Sequence, residues 1–349
     1  MRWEALPPDD QAPAVVPPWY DGSVPADARP AVTLEHVARA AGVSRATASR
    51  ALTGGGPVST ETQRQVRAAA ETLGYVADPV ARALVSGRGT RLLVAVVSDS
   101  PDVLCWYLAR VVTAGAQVLA PEGLGVGVVP VPRQRPAGVL DALARDRTVG
   151  GLVLVNTTEQ VLAELPRGLV GRTVSIGVGS ATVPAVDVDG AGAARRRVEH
   201  LVRSGRRRIA MITGPSWLPC THRPVAAFRA AVREAGLPVR VVPGGFCAAD
   251  GAAGAATVLA RWPDTDAIVA SCDEVAFGAL AALRRSGRSV PGDVAVAGFD
   301  DVPAAELTEL TTTTHPVEDI ATTAVRVALD GTRDEQRWFP SELVVRASA

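Results

Sequence analysis

The side chains best suited to specific polar contacts lie between positions 44 and 50, where the sequence reads SRATASR. Ser and Thr hydroxyls hydrogen bond to phosphate oxygens, which fixes a protein in register on a nucleic acid. A guanidinium group can pair with O6 and N7 of guanine in the major groove, and a good pair gives about 1–3 kcal/mol of discrimination. We therefore predict contacts to DNA from Ser44, Arg45, Ala46, Thr47, Ser49 and Arg50.

Residue patterns typical of catalysis, metal binding and dinucleotide binding are missing from the sequence. The four cysteines are widely spaced and form no CxxC pair. The glycines between positions 123 and 127 do not complete a GxGxxG motif, because Pro130 occupies the third glycine position. No Ser or Cys is grouped with the histidines at positions 36, 200, 222 and 315. We predict no enzyme activity, no cofactor and no metal site.

The charge balance requires any nucleic-acid surface to be local. The chain has 36 basic and 36 acidic residues, and every basic residue is Arg. Residues 31–90 contain seven Arg and four acidic residues, a modest positive balance. No stretch approaches the about 18 apolar residues of a membrane helix, and the N-terminus has no signal-peptide pattern. We expect a cytoplasmic protein with no membrane partner.

The elements that must position the DNA-contacting residues are short helices. Residues 1–30 contain seven prolines and are predicted to be a disordered extension. In residues 31–77, Thr33, Ser44 and Ser59 are placed to cap three helices, with Gly42 in the first turn between them and Gly74 at the end. Two short helices joined by a tight turn predict a helix-turn-helix whose second helix enters the major groove. Residues 78–90 are predicted to be a short helix and linker.

Residues 91–349 alternate between apolar strand-like runs and amphipathic helical stretches. This alternation is typical of parallel sheets that are covered on both faces by helices. Its length exceeds what one sheet needs, so we predict an α/β domain with two lobes. Two runs of three arginines, residues 195–197 and 206–208, are expected to lie on solvated faces.

The helix-turn-helix segment resembles the lac/galactose repressor family. The family pattern T-x-x-x-V-A-x-x-A-G-V-S-x-x-T-V-S-R-x-L-N is met in residues 33–52, with Ala48 and Thr53 as departures. Similarity continues through a V-S-x-x-T signature, an L-G-Y signature and an A-R-x-L signature. The resemblance adds DNA-contacting residues: Thr33, Ser59, Thr62, Tyr75, Ala81, Arg82 and Leu84. It also implies that residues 78–90 form a hinge helix, with Leu84 as an apolar wedge in the minor groove.

The remainder of the chain is more loosely similar to the periplasmic-binding-protein-like domain of that family. Segments such as VGGLVLV at 149–155 and VPGDVAVAGFDDVP at 290–303 carry the similarity. It implies a ligand held between two lobes, joined by chain crossings near residues 188–191, 315–318 and 334–339. Family effectors are often sugars or nucleobases. The implied effector-binding residues are Asp189, Arg223, Phe246, Cys272, Asp273 and Asp300. Of these, Asp300 also ends a predicted strand, where α/β clefts bind ligands, and Asp273 has the alternative role of helix cap.

Two departures concern this ligand site. The arginine that clamps the effector in the family corresponds to Pro224 here, with Arg223 next to it. The family's Asn before Asp273 is Cys272 in this chain. These departures leave open an unusual or a lost effector.

The sequence predicts a dimeric transcriptional regulator, expected to be a repressor, that binds double-stranded operator DNA and responds to a small molecule. A dimer is expected because the chain shows no leucine-heptad tail after its last strand-like segment. The alternatives are a DNA-binding regulator with an atypical or lost effector response, a solute-binding protein of a transporter and, least supported, an enzyme.

Overall fold

The computed structural model describes residues 32–53, 56–76, 89–99, 106–331 and 336–349. The chain divides into an N-terminal unit of residues 1–78 and a C-terminal unit of residues 79–349. The predicted extension of residues 1–30 lies outside the described residues, as does most of the predicted hinge segment, residues 78–90.

The described part of the N-terminal unit contains three helices: α1 (Leu34–Ala40), α2 (Arg45–Thr53) and α3 (Thr60–Leu73). Gly42, with φ of 66°, makes the turn between α1 and α2, and Gly74, with φ of 63°, ends α3. These left-handed conformations suit glycine because it has no Cβ. The helices enclose a small core of Val37, Ala38, Ala48, Ala51, Val66 and Ala70. The three predicted helices are confirmed, as are the caps at Ser44 and Ser59, whereas Thr33 occupies the N-cap position of α1 without a side-chain cap hydrogen bond.

Among the described residues, the helices of the C-terminal unit largely match the amphipathic stretches predicted near residues 103–120, 137–145, 191–204, 224–235, 250–261, 274–286 and 317–330. They are α4 (Trp106–Leu119), α5 (Ala137–Arg145), α6 (Glu159–Ala163), α7 (Gly190–Arg203), α8 (His222–Glu234), α9 (Ala248–Arg261), α10 (Asp273–Arg285), α11 (Pro303–Leu307) and α12 (Val317–Asp330). The short helices α6 and α11 are not predicted from the sequence, because five residues are too few to show a clear helical period. No described helix has both the length and the apolar character needed to cross a lipid bilayer.

The strands of this unit are β1 (Arg91–Val97), β2 (Gly125–Val131), β3 (Val149–Val155), β4 (Thr173–Ile176), β5 (Ala185–Val188), β6 (Ile209–Ile212), β7 (Arg240–Val242), β8 (Ala267–Ala270), β9 (Ala295–Ala297), β10 (Thr312–Thr313), β11 (Gln336–Phe339) and β12 (Leu343–Val344). Within the described residues they form a parallel sheet in the order β11-β5-β4-β3-β1-β2 and a second parallel sheet in the order β7-β6-β8-β9. A two-stranded antiparallel ribbon joins β10 to β12. The prediction of two lobes with parallel sheets is confirmed.

Each sheet has an apolar cluster on both faces, which explains why its strands are nearly continuous apolar runs. The first lobe contains the six-stranded sheet, with α4 and α12 packed together against one face. The second lobe contains the four-stranded sheet and α7–α11. In the second lobe, α7 and α8 pack against each other, as do α9 and α10.

Within the residues that the structure describes, the chain crosses between the lobes at three places. The first two crossings, after β5 and between β10 and α12, lie where they were predicted. The third was predicted at residues 334–339, and this prediction is wrong for residues 336–339. These residues form β11, which pairs with β5 and places Trp338 opposite Asp187. The chain then leaves the first sheet after Phe339 and reaches β12.

Helices α9 and α10 approach each other at glycines. A Cβ on Gly278 would overlap the backbone carbonyl of Ala248. We expect Gly278→Ala to lower the free energy of unfolding by about 1–3 kcal/mol, because a rigid backbone atom must move. Urea denaturation measures the change. The control is Gly138→Ala in α5, where a Cβ meets no atom within 4 Å. If Gly278→Ala were as well tolerated as Gly138→Ala, the close packing of α9 on α10 would be contradicted.

Candidate functional site

The exposed face of α2 presents most of the predicted DNA-contacting residues. Arg45, Ala46 and Arg50 are exposed, and Thr47 and Ser49 are half-buried. The intervening Ala48 is fully buried and, together with Ala51, anchors the opposite face of the helix in the core of the N-terminal unit. The 3.6-residue period of the helix therefore separates a core face from a basic outer face.

The start of α2 is fixed by a side-chain cap. The Ser44 hydroxyl accepts a hydrogen bond of 3.1 Å from the backbone N–H of Thr47, and the two hydroxyls lie 2.9 Å apart. Arg50 donates from Nε to the carbonyl of Ala46 at 3.2 Å, so its stem lies along the helix. The first turn of α2 carries no acidic residue. The arrangement provides hydroxyls and backbone N–H groups at the start of α2 and two arginines on its exposed face, a combination that suits phosphates and base edges.

The other predicted DNA-contacting residues occupy mixed positions. The Ser59 hydroxyl accepts from Thr62 N at 3.2 Å and caps α3, and both side chains remain at the surface. Thr33 is exposed at the start of α1, whereas Tyr75 packs against the small core. Ala81, Arg82 and Leu84 lie outside the described residues, so their hinge and wedge roles stay predictions.

A cavity of about 700 Å³ lies between the two lobes of the C-terminal unit. Its walls come from both sheets, largely from residues that follow the carboxyl ends of strands, where α/β folds bind ligands. This size falls within the range of small-molecule sites. Among the described residues, five acidic ones line the cavity, Glu159, Asp187, Asp189, Glu274 and Asp300, and five aromatic ones, Trp106, Tyr107, Phe246, Phe299 and Trp338. Its basic residues include Arg197, Arg223 and His315.

Five of the six predicted effector-binding residues line this cavity. Asp189 caps α7, with Oδ1 accepting from Gly192 N at 2.8 Å. The guanidinium of Arg223 lies 4.4 Å from the centre of the Trp338 ring. Phe246 is half-buried, and its carbonyl oxygen is 3.6 Å from Sγ of Cys272.

The two cysteines of the cavity wall are neutral thiols. Burial raises the pKa of Cys272 well above its ordinary value and that of Cys220 to about 12. A thiol with so high a pKa is a poor nucleophile, because the thiolate is the reactive form. Cys272 therefore contributes shape and a weakly polar surface to the cavity.

Asp273, the sixth predicted residue, does not line the cavity. Its side chain is completely buried and accepts hydrogen bonds from Val302 N at 2.9 Å and from the Thr312 hydroxyl at 2.6 Å. It thus joins the start of α10 to the loop after β9 and to β10. Burial raises its pKa from 3.8 to about 7. This correction leaves Asp273 with a structural role in the second lobe.

Because the folded-state pKa of Asp273 is raised, the native state retains a proton that the unfolded chain has lost. The stability contributed by this proton is complete below pH 3.8 and is lost as the pH rises through about 7. Asp273→Asn keeps a neutral side chain that can accept and donate hydrogen bonds. Between pH 5 and 8 its free energy of unfolding should therefore decline less than that of wild type, by a difference on the order of 2 kcal/mol. Denaturant titrations across that range measure this, with Asp319→Asn on the exposed face of α12 as control. Parallel pH profiles for wild type and Asp273→Asn would contradict the assignment.

Asp300 has a strained backbone and a firmly held side chain. Its φ is 113°, which is rare for a residue with a Cβ, and its N–H donates to Thr313 O at 3.0 Å. Such strain persists only where surrounding contacts enforce it, and it concentrates at functional sites. Oδ1 lies 2.8 Å from Nδ1 of His315. The carboxylate is thereby oriented at the boundary between the two lobes.

Sequence analysis missed several residues that line the cavity, of which Asp187, Arg197, Trp338 and His315 are the most informative. Asp187 sits in the alternating pattern of β5, and burial raises the pKa of its carboxyl. Trp338 is one of six tryptophans in the chain, and no local pattern distinguishes it from the others. His315 belongs to no catalytic pattern in the sequence, and its place at the cavity depends on the fold.

Arg197 corrects the expectation that residues 195–197 lie on a solvated face. Arg195 is exposed and paired with Glu234, but Arg197 is only 2% exposed. Its Nη1 donates to the carbonyls of Ala270 at 2.7 Å and Gly298 at 3.0 Å. Burial lowers the pKa of Arg197 to about 10, so it remains charged at neutral pH.

Comparisons with known proteins agree with both parts of the structure. Residues 33–78 match the family model for bacterial regulatory proteins of the lacI family, and residues 198–349 match that for a periplasmic binding protein-like domain. The chain is 34% identical to the HTH-type transcriptional regulator CelR of Thermobifida fusca, over 85% of this chain and 91% of the relative. It is 30% identical to the catabolite control protein A of Priestia megaterium, with the same shares covered.

Solved structures give the same result. The lac repressor dimer bound to operator and the anti-inducer ONPF superimposes with a TM-score of 0.76 at 25% identity, covering 91% of this chain and 99% of the other. The complex of transcriptional regulator CelR with cellobiose superimposes with a TM-score of 0.65 at 29% identity, covering 91% and 100%. The curated relatives named here are transcriptional regulators, as predicted, and not enzymes.

Proposed function

Because the chain belongs to the LacI family of DNA-binding transcriptional regulators, we propose that it is a dimeric repressor whose operator affinity is set by a sugar bound between its lobes. In this proposal residues 31–77 bind DNA, residues 78–90 form the hinge, and residues 91–349 bind the effector and dimerise. The protein acts in the cytoplasm, where its operator lies.

The observation that carries the proposal is the composition of the cavity between the lobes. A hydroxyl-rich ligand donates hydrogen bonds to carboxylates and packs its apolar ring faces on aromatic side chains. The cavity supplies both groups, with five acidic and five aromatic residues around about 700 Å³. This size and aromatic content favour an oligosaccharide of two or more rings, and cellobiose is the first probe because a relative is known in complex with it.

The cavity also favours ligand binding over a lost effector response. Although Pro224 replaces the expected clamping arginine, Arg223 and Arg197 both line the cavity and supply planar donors. An atypical effector remains the second candidate, supported by the neutral thiol of Cys272 in the wall.

Contacts between the lobes offer a route from ligand to DNA. Trp106 N in the first lobe donates to Glu274 in the second at 3.4 Å. Glu318, also in the first lobe, holds the Arg110 guanidinium at 2.7 Å, and Arg110 donates across to the carbonyl of Asp300 in the second lobe at 3.4 Å. A sugar that changes the separation of the lobes changes these contacts. Linkage of this kind typically gives a coupling of about 1–3 kcal/mol, or 5–150-fold in operator affinity.

The proposal is tested by selecting bound sequences from a random DNA pool at two salt concentrations. We expect a palindromic site with an easily kinked centre, as a dimer with two recognition helices requires. Titration of the selected operator complex with cellobiose and other neutral oligosaccharides then tests for release. Enrichment without any motif would refute the operator function, and indifference of the operator complex to every sugar would refute the sugar response alone.

A further inference from the structure

Two polar groups in the cavity have hydrogen-bonding capacity that the described residues do not use. His315 is 8% exposed, and its Nε2 is buried without a partner among the described residues. Arg197 uses Nε and Nη1 for backbone carbonyls, and no described residue accepts a hydrogen bond from its Nη2. A buried polar atom without a partner is costly, so Nε2 of His315 calls for a ligand, and Nη2 of Arg197 keeps a donor available to one.

Both residues pack around the same aromatic ring. The imidazole of His315 lies 5.1 Å from the centre of the Phe299 ring, and the guanidinium of Arg197 lies 5.5 Å from it. Both side chains line the cavity, as do Phe299 and Asp300. We call these four residues the cleft floor. The floor is rigid because Arg197 is held by the ends of β8 and β9, and His315 is held by Asp300 and by Tyr107 at 5.1 Å.

Asp300 determines the hydrogen-bonding role of His315. A carboxylate can only accept a hydrogen bond, so Nδ1 of His315 carries the hydrogen directed at Asp300. In the neutral imidazole, Nε2 then has a lone pair and accepts. Arg197 can only donate. The floor therefore presents one donor and one acceptor to the ligand.

We propose that Arg197 and His315 form a hydroxyl-recognition pair, in which Nη2 of Arg197 donates to, and Nε2 of His315 accepts from, the hydroxyls at one end of a neutral sugar. This inference rests on the proposed function and specifies its ligand. A hydroxyl both donates and accepts, so it satisfies the two atoms together. A carboxylate or phosphate group would satisfy Arg197, but it would oppose the lone pair of His315 and the acidic side chains of the cavity.

The test is isothermal titration calorimetry of the full chain with neutral probes, cellobiose and maltose, and anionic probes, glucuronate and glucose 6-phosphate. We expect wild type to bind a neutral probe in preference to both anionic probes. His315→Leu should weaken that binding by about 3- to 10-fold, and His315→Gln, which keeps a polar side chain, should weaken it less. Arg197→Met should weaken it by about 10- to 100-fold, because a charged donor is lost. The matched control is Arg195→Met, on the same helix but exposed and paired with Glu234.

Deoxy analogues of the bound sugar distinguish direct recognition from a structural role. We expect one deoxy position at which wild type and His315→Leu bind equally, because the hydroxyl that His315 reads is missing. Equal weakening with every analogue would overturn the proposal, as would unchanged affinity of both His315 variants. These arms remain decisive if Arg197→Met fails to fold. If wild type binds no neutral probe, both the pair and the sugar effector are overturned. If wild type binds a neutral probe but the variants show none of the expected differences, only the pair is overturned.

Discussion

The double variant Arg45→Ala/Arg50→Ala should bind the selected operator at least about 30-fold more weakly than wild type, since each good contact to a base contributes about 1–3 kcal/mol. Both side chains are exposed on α2, whereas Ala48 and Ala51 hold the opposite face in the core. The loss should therefore occur without unfolding of the N-terminal unit. Fluorescence anisotropy with labelled operator measures the affinity.

Single variants at these positions separate base recognition from contact with phosphates. A variant that removes a base contact should relax preference at one position of the operator. Loss of a phosphate contact should weaken all sequences alike and reduce the salt slope by about 1. Arg203→Ala is the matched control, because Arg203 is also exposed and also donates from Nε to the carbonyl four residues earlier, that of Glu199. A double variant that binds operator as tightly as Arg203→Ala would refute the assignment of α2 as recognition helix.

Asp300→Asn should abolish most of the sugar response while leaving operator binding in the absence of sugar. The side chains of Asp and Asn have nearly the same shape, so the strained backbone at φ of 113° can be retained. The amide, however, replaces one acceptor oxygen with a donor and removes the charge that faces His315 and Arg197. Loss of a hydrogen bond from a sugar hydroxyl to a charged carboxylate typically costs about 1.5–3 kcal/mol, which corresponds to at least about a 10-fold weaker affinity for sugar.

The neighbouring residue supplies the control for this prediction. Asp301 also has a positive φ, of 50°, but its carboxylate pairs with Arg346 at 2.8 Å and does not line the cavity. Asp301→Asn should therefore bind sugar within about 3-fold of wild type, because it removes no group of the cavity wall. Calorimetry with the tightest neutral probe measures both variants. Similar sugar affinities for Asp300→Asn and Asp301→Asn would show that the carboxylate of Asp300 is not part of the site.

The sequence by itself determined the DNA-binding part of this protein. The caps at Ser44 and Ser59, the turn at Gly42 and the helical period around Ala48 all act within a few residues of chain. Such local signals are readable because a helix brings together residues three and four positions apart. The alternation of strand and helix patterns is also a local signal, and it predicted two parallel sheets. This prediction missed mainly elements of two to five residues, such as α11 and β10, because so short a segment shows no clear period.

Only the tertiary structure decided which polar residues face the ligand cavity. Asp273 and Asp300 both follow strands of the second sheet. The buried Asp273 side chain accepts hydrogen bonds from Val302 N and the Thr312 hydroxyl, whereas Asp300 lines the cavity. Arg195 and Arg197 belong to one run of arginines, yet one pairs with Glu234 at the surface and the other lies beneath the ends of β8 and β9. Trp338 enters the site because β11 pairs with β5, about 150 residues earlier in the chain. These differences arise from contacts between residues that are far apart in the sequence. Such contacts place side chains of the same type in different surroundings, and no local sequence pattern reports them.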